Sequence, residues 1–132
     1  MANEFARKVE DAAFSITRAL PTADGTVTTS DFDLGTGVKP ENVELELVIP
    51  ALNATQLPNA DTLTITVQHG AAATPTTELL KLPVITGSTG YAGGTFRLRL
   101  PSNTLQYLNV KIVAAGGTGD ISGSTATLKL LF

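Results

Sequence analysis

Three aspartates in the first quarter of the chain have the side chains best suited to holding a metal ion. Asp31 and Asp33 lie two positions apart in a predicted strand, so they share a face and could offer carboxylate oxygens to Ca²⁺, with Asp24 nearby. Their spacing does not match a calcium-binding loop. We therefore favour the interpretation that Asp31 and Asp33 end a strand and accept backbone N–H bonds in the turn through Leu34 and Gly35.

A second carboxylate pair, Glu44 and Glu46, also shares a strand face. Two carboxylates a few ångströms apart can act as acid and base in glycoside cleavage. Aromatic residues make up only 5% of the chain, however, so a stacking platform for a sugar is missing. The pattern favours a solvent-facing pair, or ion-pair partners for Arg97 and Arg99 across a sheet.

Nucleophilic and phosphate-binding chemistry finds little support in the sequence. The chain has no cysteine, one histidine (His69, before Gly70) and no Gly-x-Ser-x-Gly elbow. The glycine-rich run Gly116–Gly123 fits neither phosphate-binding motif and is interpreted as a hairpin connection between the last two strands. We expect a protein that is not an enzyme, with no catalytic, cofactor-binding or metal-binding residues and no cofactor.

Length and composition favour one globular domain. The chain has 132 residues, 42% of them hydrophobic and 16% charged, and a net charge of -3. Four cations are predicted to face outward on strands, and we favour a salt-bridged sheet face over a basic binding stripe; they are Arg97, Arg99, Lys111 and Lys129. If they form a patch, an acidic protein surface suits it better than nucleic acid, because aromatic side chains for base stacking are few.

No apolar run approaches the roughly 20 residues of a membrane span, and the first residues lack a secretory signal. We therefore expect no membrane partner and no nucleic-acid partner, and synthesis in a cytoplasm.

Alternation of apolar and polar residues is the strongest structural signal. It is typical of half-buried strands, because successive side chains of a strand point to opposite faces. Five segments show it clearly: 43–49, 61–68, 95–100, 108–114 and 126–132. Weaker strands are predicted at 13–20, 28–34 and 79–85, and a helical stripe over 11–20 is the less favoured alternative for the first of these. The 20 threonines suit pleated, half-exposed surfaces.

These observations predict an all-β fold, an antiparallel jelly-roll-like β-sandwich of about eight strands. Residues 1–10 are expected to form an extended N-terminal arm and residues 11–132 a single domain. Leu131 and Phe132 end the chain without a polar tail, and exposed apolar ends invite association. A structural protein that self-assembles or docks on a larger surface is therefore the leading interpretation.

The order of these segments resembles the capsid cement, or decoration, proteins of tailed bacteriophages. An element of the form Thr29-x-x-x-Asp33-Leu34-Gly35 stands near the start, and a sheet-forming block, Leu108-Asn109-Val110-Lys111-Ile112-Val113, precedes the last strand. The resemblance covers roughly residues 11 to 132. Met1–Glu10 and the loop Ala71–Thr77 are additions to the pattern.

The resemblance implies a jelly-roll protein on the outside of the virion capsid, where it would bind the major capsid protein and itself, as a homodimer or homotrimer. It would cement neighbouring capsomers and stabilise the head. The arm Met1–Glu10 and the loops Ala71–Thr77 and Thr86–Gly94 are the expected contacts with the shell. The alternative is a carbohydrate- or calcium-binding β-sandwich module of an adhesin or lectin type.

Overall fold

The structure is a computed structural model that describes residues 10–35 and 43–131. The described residues form antiparallel strands: β1 (Glu10–Ala19), β2 (Thr26–Thr28), β3 (Phe32–Asp33), β4 (Glu44–Ile49), β5 (Thr62–Gly70), β6 (Thr77–Lys81), β7 (Ile85–Thr86), β8 (Gly94–Arg99), β9 (Tyr107–Ala115) and β10 (Thr125–Leu131). No helix in these ranges is long and apolar enough to cross a membrane.

The strands form two sheets. The four-stranded sheet has the order β1-β10-β4-β8. The six-stranded sheet has the order β2-β9-β5-β6, with β3 also pairing β9 and β7 also pairing β5. If β2 with β3, and β6 with β7, count as one interrupted strand each, eight strands remain and the chain crosses repeatedly from one sheet to the other. This is the antiparallel order of a jelly roll, as the sequence predicted.

The core lies between the two sheets and is built by the alternation seen in the sequence. In β5 the inward side chains Leu63, Ile65 and Val67 are each 0% exposed, whereas the threonines between them are half-buried. The same alternation buries Leu45 and Leu47 of β4. A fully buried side chain of this size contributes about 1.5–3 kcal/mol, so burial of these inward residues is a major favourable contribution to folding.

The five clear strand predictions are confirmed within one or two residues. The weaker predictions at 28–34 and 79–85 are confirmed only in part, because each range overlaps two short strands, β2 and β3 in the first and β6 and β7 in the second. Thr29 interrupts the first, because its N–H donates to Val110 O and its hydroxyl accepts the Val110 N–H. Pro83 stands between β6 and β7, where it cannot donate to the sheet. The helical alternative for residues 11–20 is wrong, since β1 pairs with β10.

Three further expectations are corrected or limited. Gly116–Gly123 is not a hairpin turn, because β9 and β10 belong to different sheets and the run crosses between them. Leu131 is 5% exposed and so is not an exposed apolar end, while Phe132 lies outside the described residues. The arm Met1–Glu10 also lies outside them, except for Glu10, which begins β1.

Loops gather at the two ends of the sandwich. We call one the Asp24 end; it comprises the loops 20–25, 50–61, 87–93 and 116–124. We call the other the Asp31 end; it comprises Asp31, the loop 71–76 and the loop 100–106. Strand β5 runs between them, and its eight steps of about 3.3 Å separate the two ends by roughly 26 Å.

Candidate functional site

The aspartates singled out in the sequence lie at opposite ends of the sandwich. Asp31 and Asp33 are at the Asp31 end, whereas Asp24 is in the loop before β2. The structure therefore does not bring the three together. Within residues 10–35 and 43–131, no three His, Asp or Glu side chains meet in a way that could hold a metal ion.

Asp31 fastens the loop 71–76 to the six-stranded sheet. Its Oδ2 accepts the Thr74 N–H at 2.7 Å, and its Oδ1 accepts from Asn109 Nδ2 at 3.1 Å. Asn109 Nδ2 also donates to Pro75 O at 3.2 Å. Asp31 thus reaches a loop more than forty residues away along the chain and ties it to β9. A charged acceptor makes these hydrogen bonds stronger than neutral ones.

Asp33 performs the local turn function that the sequence predicted, whereas the same prediction is wrong for Asp31, which bonds to the distant loop 71–76 instead. Its Oδ1 accepts the Gly35 N–H at 2.8 Å and a bond from Gln106 Nε2 at 3.0 Å. The Leu34 N–H donates to Gln106 O, so the same turn is also joined to the loop 100–106. Gly35 has φ 75°, a conformation that glycine adopts without a steric cost.

Asp24 organises the glycine-rich crossing at the other end. Its Oδ1 accepts the Gly117 N–H at 2.8 Å and the Thr118 N–H at 3.0 Å. The hydrogen bond from Gly117, followed by that from Thr118, holds the pKa of the Asp24 carboxyl below its ordinary value. Gly116 and Gly117 have φ 99° and 112°, so the turn that presents these N–H groups depends on glycine.

A strained threonine also marks the Asp24 end. The Thr89 N–H donates to Asn59 Oδ1 at 2.6 Å, and Thr89 has φ 57°. Gly90 packs so closely that an added Cβ would lie 2.3 Å from Leu52 O. A β-branched residue at positive φ is costly and persists only where neighbouring bonds enforce it. The loop 87–93 is therefore held in one shape.

The two glutamates and two arginines behave as the sequence predicted. Arg97 donates to Glu46 Oε2 through Nε at 2.9 Å, and its Nη2 atom lies 2.9 Å from the same oxygen. Glu44 is directly opposite Arg99 in the β4–β8 register. Glu44 and Glu46 are thus cross-strand partners of the arginines rather than a pair facing a substrate cleft.

His69 is placed in a structural role. It is 8% exposed, and its Nδ1 accepts the backbone N–H of Leu105 at 3.1 Å. This bond joins the end of β5 to the loop 100–106. Because Nδ1 accepts, the neutral ring in this arrangement carries its proton on Nε2.

The four cations for which the sequence favoured a salt-bridged sheet face do not all lie on one face. Arg97, Arg99 and Lys129 share the outer face of the four-stranded sheet with the glutamates, since Lys129, Glu46 and Arg97 are in one register row. Lys111 is on β9 of the six-stranded sheet. The prediction of a salt-bridged face therefore holds for the four-stranded sheet, whereas Lys111 lies on the other sheet among different neighbours.

Sequence reasoning missed Asn109 and Asn59, which organise the two loop ends. Asn109 stands at an outward position of β9, yet it is 2% exposed because the loop 71–76 covers it. Its Oδ1 is buried without a hydrogen-bond partner in the described part of the chain. No local pattern signals either residue, because each bonds to a loop distant in sequence.

Comparison with known proteins finds no family model and no curated protein that matches the chain. Among solved structures, the xylan-binding module CBM15 aligns with a TM-score of 0.38 and 16% identity, over 94% of this chain and 95% of that chain. The K1 cleaved adhesin domain of Lys-gingipain from Porphyromonas gingivalis W83 aligns with a TM-score of 0.40 and 15% identity, over 95% and 88%. Both similarities are too low to assign a function to this chain.

Proposed function

We propose that this chain is a structural virion protein that binds the outside of a mature phage capsid and links neighbouring capsomers. The observation that carries the proposal is the pair of rigid loop ends at opposite ends of one sandwich, roughly 26 Å apart along β5. A molecule lying along a shell could touch one subunit with the Asp24 end and another with the Asp31 end. The proposal also draws on the sequence resemblance to capsid cement proteins.

The internal bonding of both loop ends supports this function. Asp31 and Asn59 hold the strained Thr74 and Thr89 through their backbone N–H groups, so little conformational entropy remains to be lost on docking. Each contact can be weak, because repetition around a closed shell raises the effective concentration of every further contact. The proposed partners are the major capsid protein and further copies of this chain, as a dimer or trimer.

The carboxylates, His69 and the arginines named in the sequence take part in internal bonds of the fold. This arrangement is consistent with a non-enzymatic role, which stays a prediction. The proposed location is the capsid exterior, after synthesis in the bacterial cytoplasm.

The second candidate is a carbohydrate-binding module. The outer face of the six-stranded sheet presents the hydroxyls of Thr62, Thr64 and Thr66 in a row, and hydroxyls can hydrogen-bond to sugars. None of these three threonines has an aromatic residue opposite it on β9, where their described partners are Ala115, Val113 and Lys111. Stacking, a strong contributor to many ligand sites, is therefore missing there.

Co-sedimentation tests the capsid proposal directly. The purified chain is mixed with expanded capsids assembled without it, from the virus that encodes it, and in parallel with unexpanded procapsids. We expect saturable binding to the expanded shells and a rise in the temperature at which they rupture. If the chain sediments with neither shell but binds a neutral glycan array, the carbohydrate-binding candidate replaces the capsid proposal.

Single substitutions then test whether both loop ends contact the shell. Ala72 and Ala92 are exposed in the loops 71–76 and 87–93, and Ser15 is exposed within β1 of the four-stranded sheet, away from both loop ends. We expect Ala72→Arg and Ala92→Arg each to weaken shell binding about tenfold or more by steric exclusion, whereas Ser15→Arg leaves it unchanged. Loss at only one end would contradict the two-ended arrangement.

The N-terminal arm has a separate test. Deleting Met1–Val9 leaves β1 intact, because this strand begins at Glu10. If the arm contacts the shell, the shortened chain binds more weakly and melts at an unchanged temperature. Unchanged binding would remove the arm from the contact.

A further inference from the structure

The outer face of the six-stranded sheet carries two lysines among threonines. We call it the threonine–lysine face; its outward residues are Thr26, Thr28, Thr62, Thr64, Thr66, Lys81, Thr86, Lys111 and Val113. One register row crosses four strands in the order Thr28, Lys111, Thr66, Lys81. Alternate residues of a strand share a face, and the inward neighbours of these positions are buried in the core or packed against it.

The charges of this face differ from those of the opposite face. On the four-stranded sheet, Arg97 is bonded to Glu46 at 2.9 Å. The side chains of Lys81 and Lys111, in contrast, make no ion pair or hydrogen bond within residues 10–35 and 43–131. Two carboxylates border the face and lie outside the row that holds the lysines. Glu78 of β6 is opposite Gln68, and Asp31 is bonded to Asn109, an outward residue of β9.

Among the described residues, these two side-chain cations, roughly 10 Å apart across two strand spacings, therefore have no ion-pair partner. The chain as a whole has a net charge of -3, so this face is opposite in sign to the whole molecule. A surface of this kind attracts an acidic partner and disfavours a second copy of itself, because like charges would then meet.

The threonine–lysine face extends between the two loop ends of the sandwich. Thr62, Thr64 and Thr66 belong to β5, the strand that separates the Asp24 end from the Asp31 end. If both ends touch a shell, the molecule lies on one of its sides, and the threonine–lysine face spans the distance between the two contacts. The row is about 14 Å wide, so the face alone makes a small interface that repetition must reinforce.

We propose that the threonine–lysine face is the side of the molecule that docks on the capsid, and that its partner is an acidic protein surface of the shell. This inference rests on the proposed function. Lys81 and Lys111 pair with carboxylates of the shell, while the threonine hydroxyls bond to its polar groups. The described residues of this face include no aromatic stacking platform, which suits a protein surface better than a polysaccharide chain.

Two double variants with equal net charge test the proposal. Lys81→Gln with Lys111→Gln removes both cations from the face. Ser15→Glu with Thr17→Glu lowers the net charge equally, at exposed positions within β1 of the four-stranded sheet. We expect the glutamine pair to bind expanded capsids about tenfold more weakly at low salt and the glutamate pair to bind like the unaltered chain. Lys81→Arg with Lys111→Arg retains binding.

The salt dependence gives a second measurement. Binding of the unaltered chain weakens as salt rises, and binding of the glutamine variant changes less, because exposed charge pairs are screened. If the unaltered chain and the glutamine variant bind expanded capsids equally, the threonine–lysine face is not the docking surface, while the proposed capsid function stands. If the unaltered chain binds no shell, both proposals fail; binding to alginate that depends on the two lysines would identify an acidic polysaccharide as the partner instead.

Discussion

Asp31 Oδ2 accepts the backbone N–H of Thr74 at 2.7 Å, and Thr74 has φ 55°. A threonine in this region is strained by its branched Cβ, at a cost of roughly 1–3 kcal/mol. The hydrogen bond that the Thr74 N–H donates to the charged Asp31 carboxylate offsets that cost and fixes the loop 71–76 over Asn109. The Asp31 end is therefore preorganised by one carboxylate that sequence reasoning first considered as a calcium ligand.

Replacing Asp31 should loosen this end. Asp31→Ala removes the acceptor for both Thr74 and Asn109 Nδ2, so we expect the free energy of unfolding to fall by about 1–3 kcal/mol. Urea denaturation measures the loss. Amide exchange at Thr74 should accelerate as well, and an unchanged exchange rate there would show that the carboxylate does not hold the loop.

Replacing Thr74 by glycine should raise the free energy of unfolding rather than lower it. Thr74→Gly relieves the strain at positive φ, although a glycine adds freedom to the unfolded chain. We expect a change in unfolding free energy between zero and about 1 kcal/mol of stabilisation, with the Asp31 bond retained because it uses the backbone N–H. A clear loss of stability, measured by the same urea denaturation, would contradict a strained Thr74.

Asp24 should make the fold sensitive to acid. The Gly117 and Thr118 N–H groups lower the pKa of Asp24 in the folded state. The contribution of its charge to the free energy of unfolding is therefore present above the pKa of the unfolded chain, near pH 4, and is lost as the pH falls through the folded pKa. Asp24→Asn keeps an acceptor oxygen but no charge. We expect this variant to be less stable at pH 7 and to approach the unaltered chain as the pH falls to 3.

The measurement is the urea midpoint of both proteins at pH 7, 5 and 3. A difference between the two midpoints that is the same at every pH would show that the charge of Asp24 does not contribute.

Gly90 should tolerate no side chain. A Cβ there would lie 2.3 Å from Leu52 O, which already accepts the Tyr91 N–H, and φ is 92°. We expect Gly90→Ala to lower the unfolding free energy by about 2 kcal/mol or more, measured by thermal denaturation. Gly123→Ala is the matched control, because nothing lies within 4 Å of its added Cβ, and it should change stability by less than about 0.5 kcal/mol.

The sequence by itself determined the strands and their faces. Alternation in β5 assigns Leu63, Ile65 and Val67 to the core, and the structure buries all three completely. It also suggested the pairing of Glu46 with Arg97, since both occupy outward positions of regular strands. These features are local, because the two-residue period of a strand fixes where each side chain points.

Only the tertiary structure decided which strands are neighbours. Lys111 and Arg97 show the same outward alternation, yet they lie on different sheets, so the four cations do not share the single salt-bridged face that the sequence favoured. Likewise, Asp31 reaches Thr74 and Asp24 reaches Gly117 across long stretches of chain. A period of two specifies a face but not a partner; partners follow from how the two sheets pack and close the loops between them.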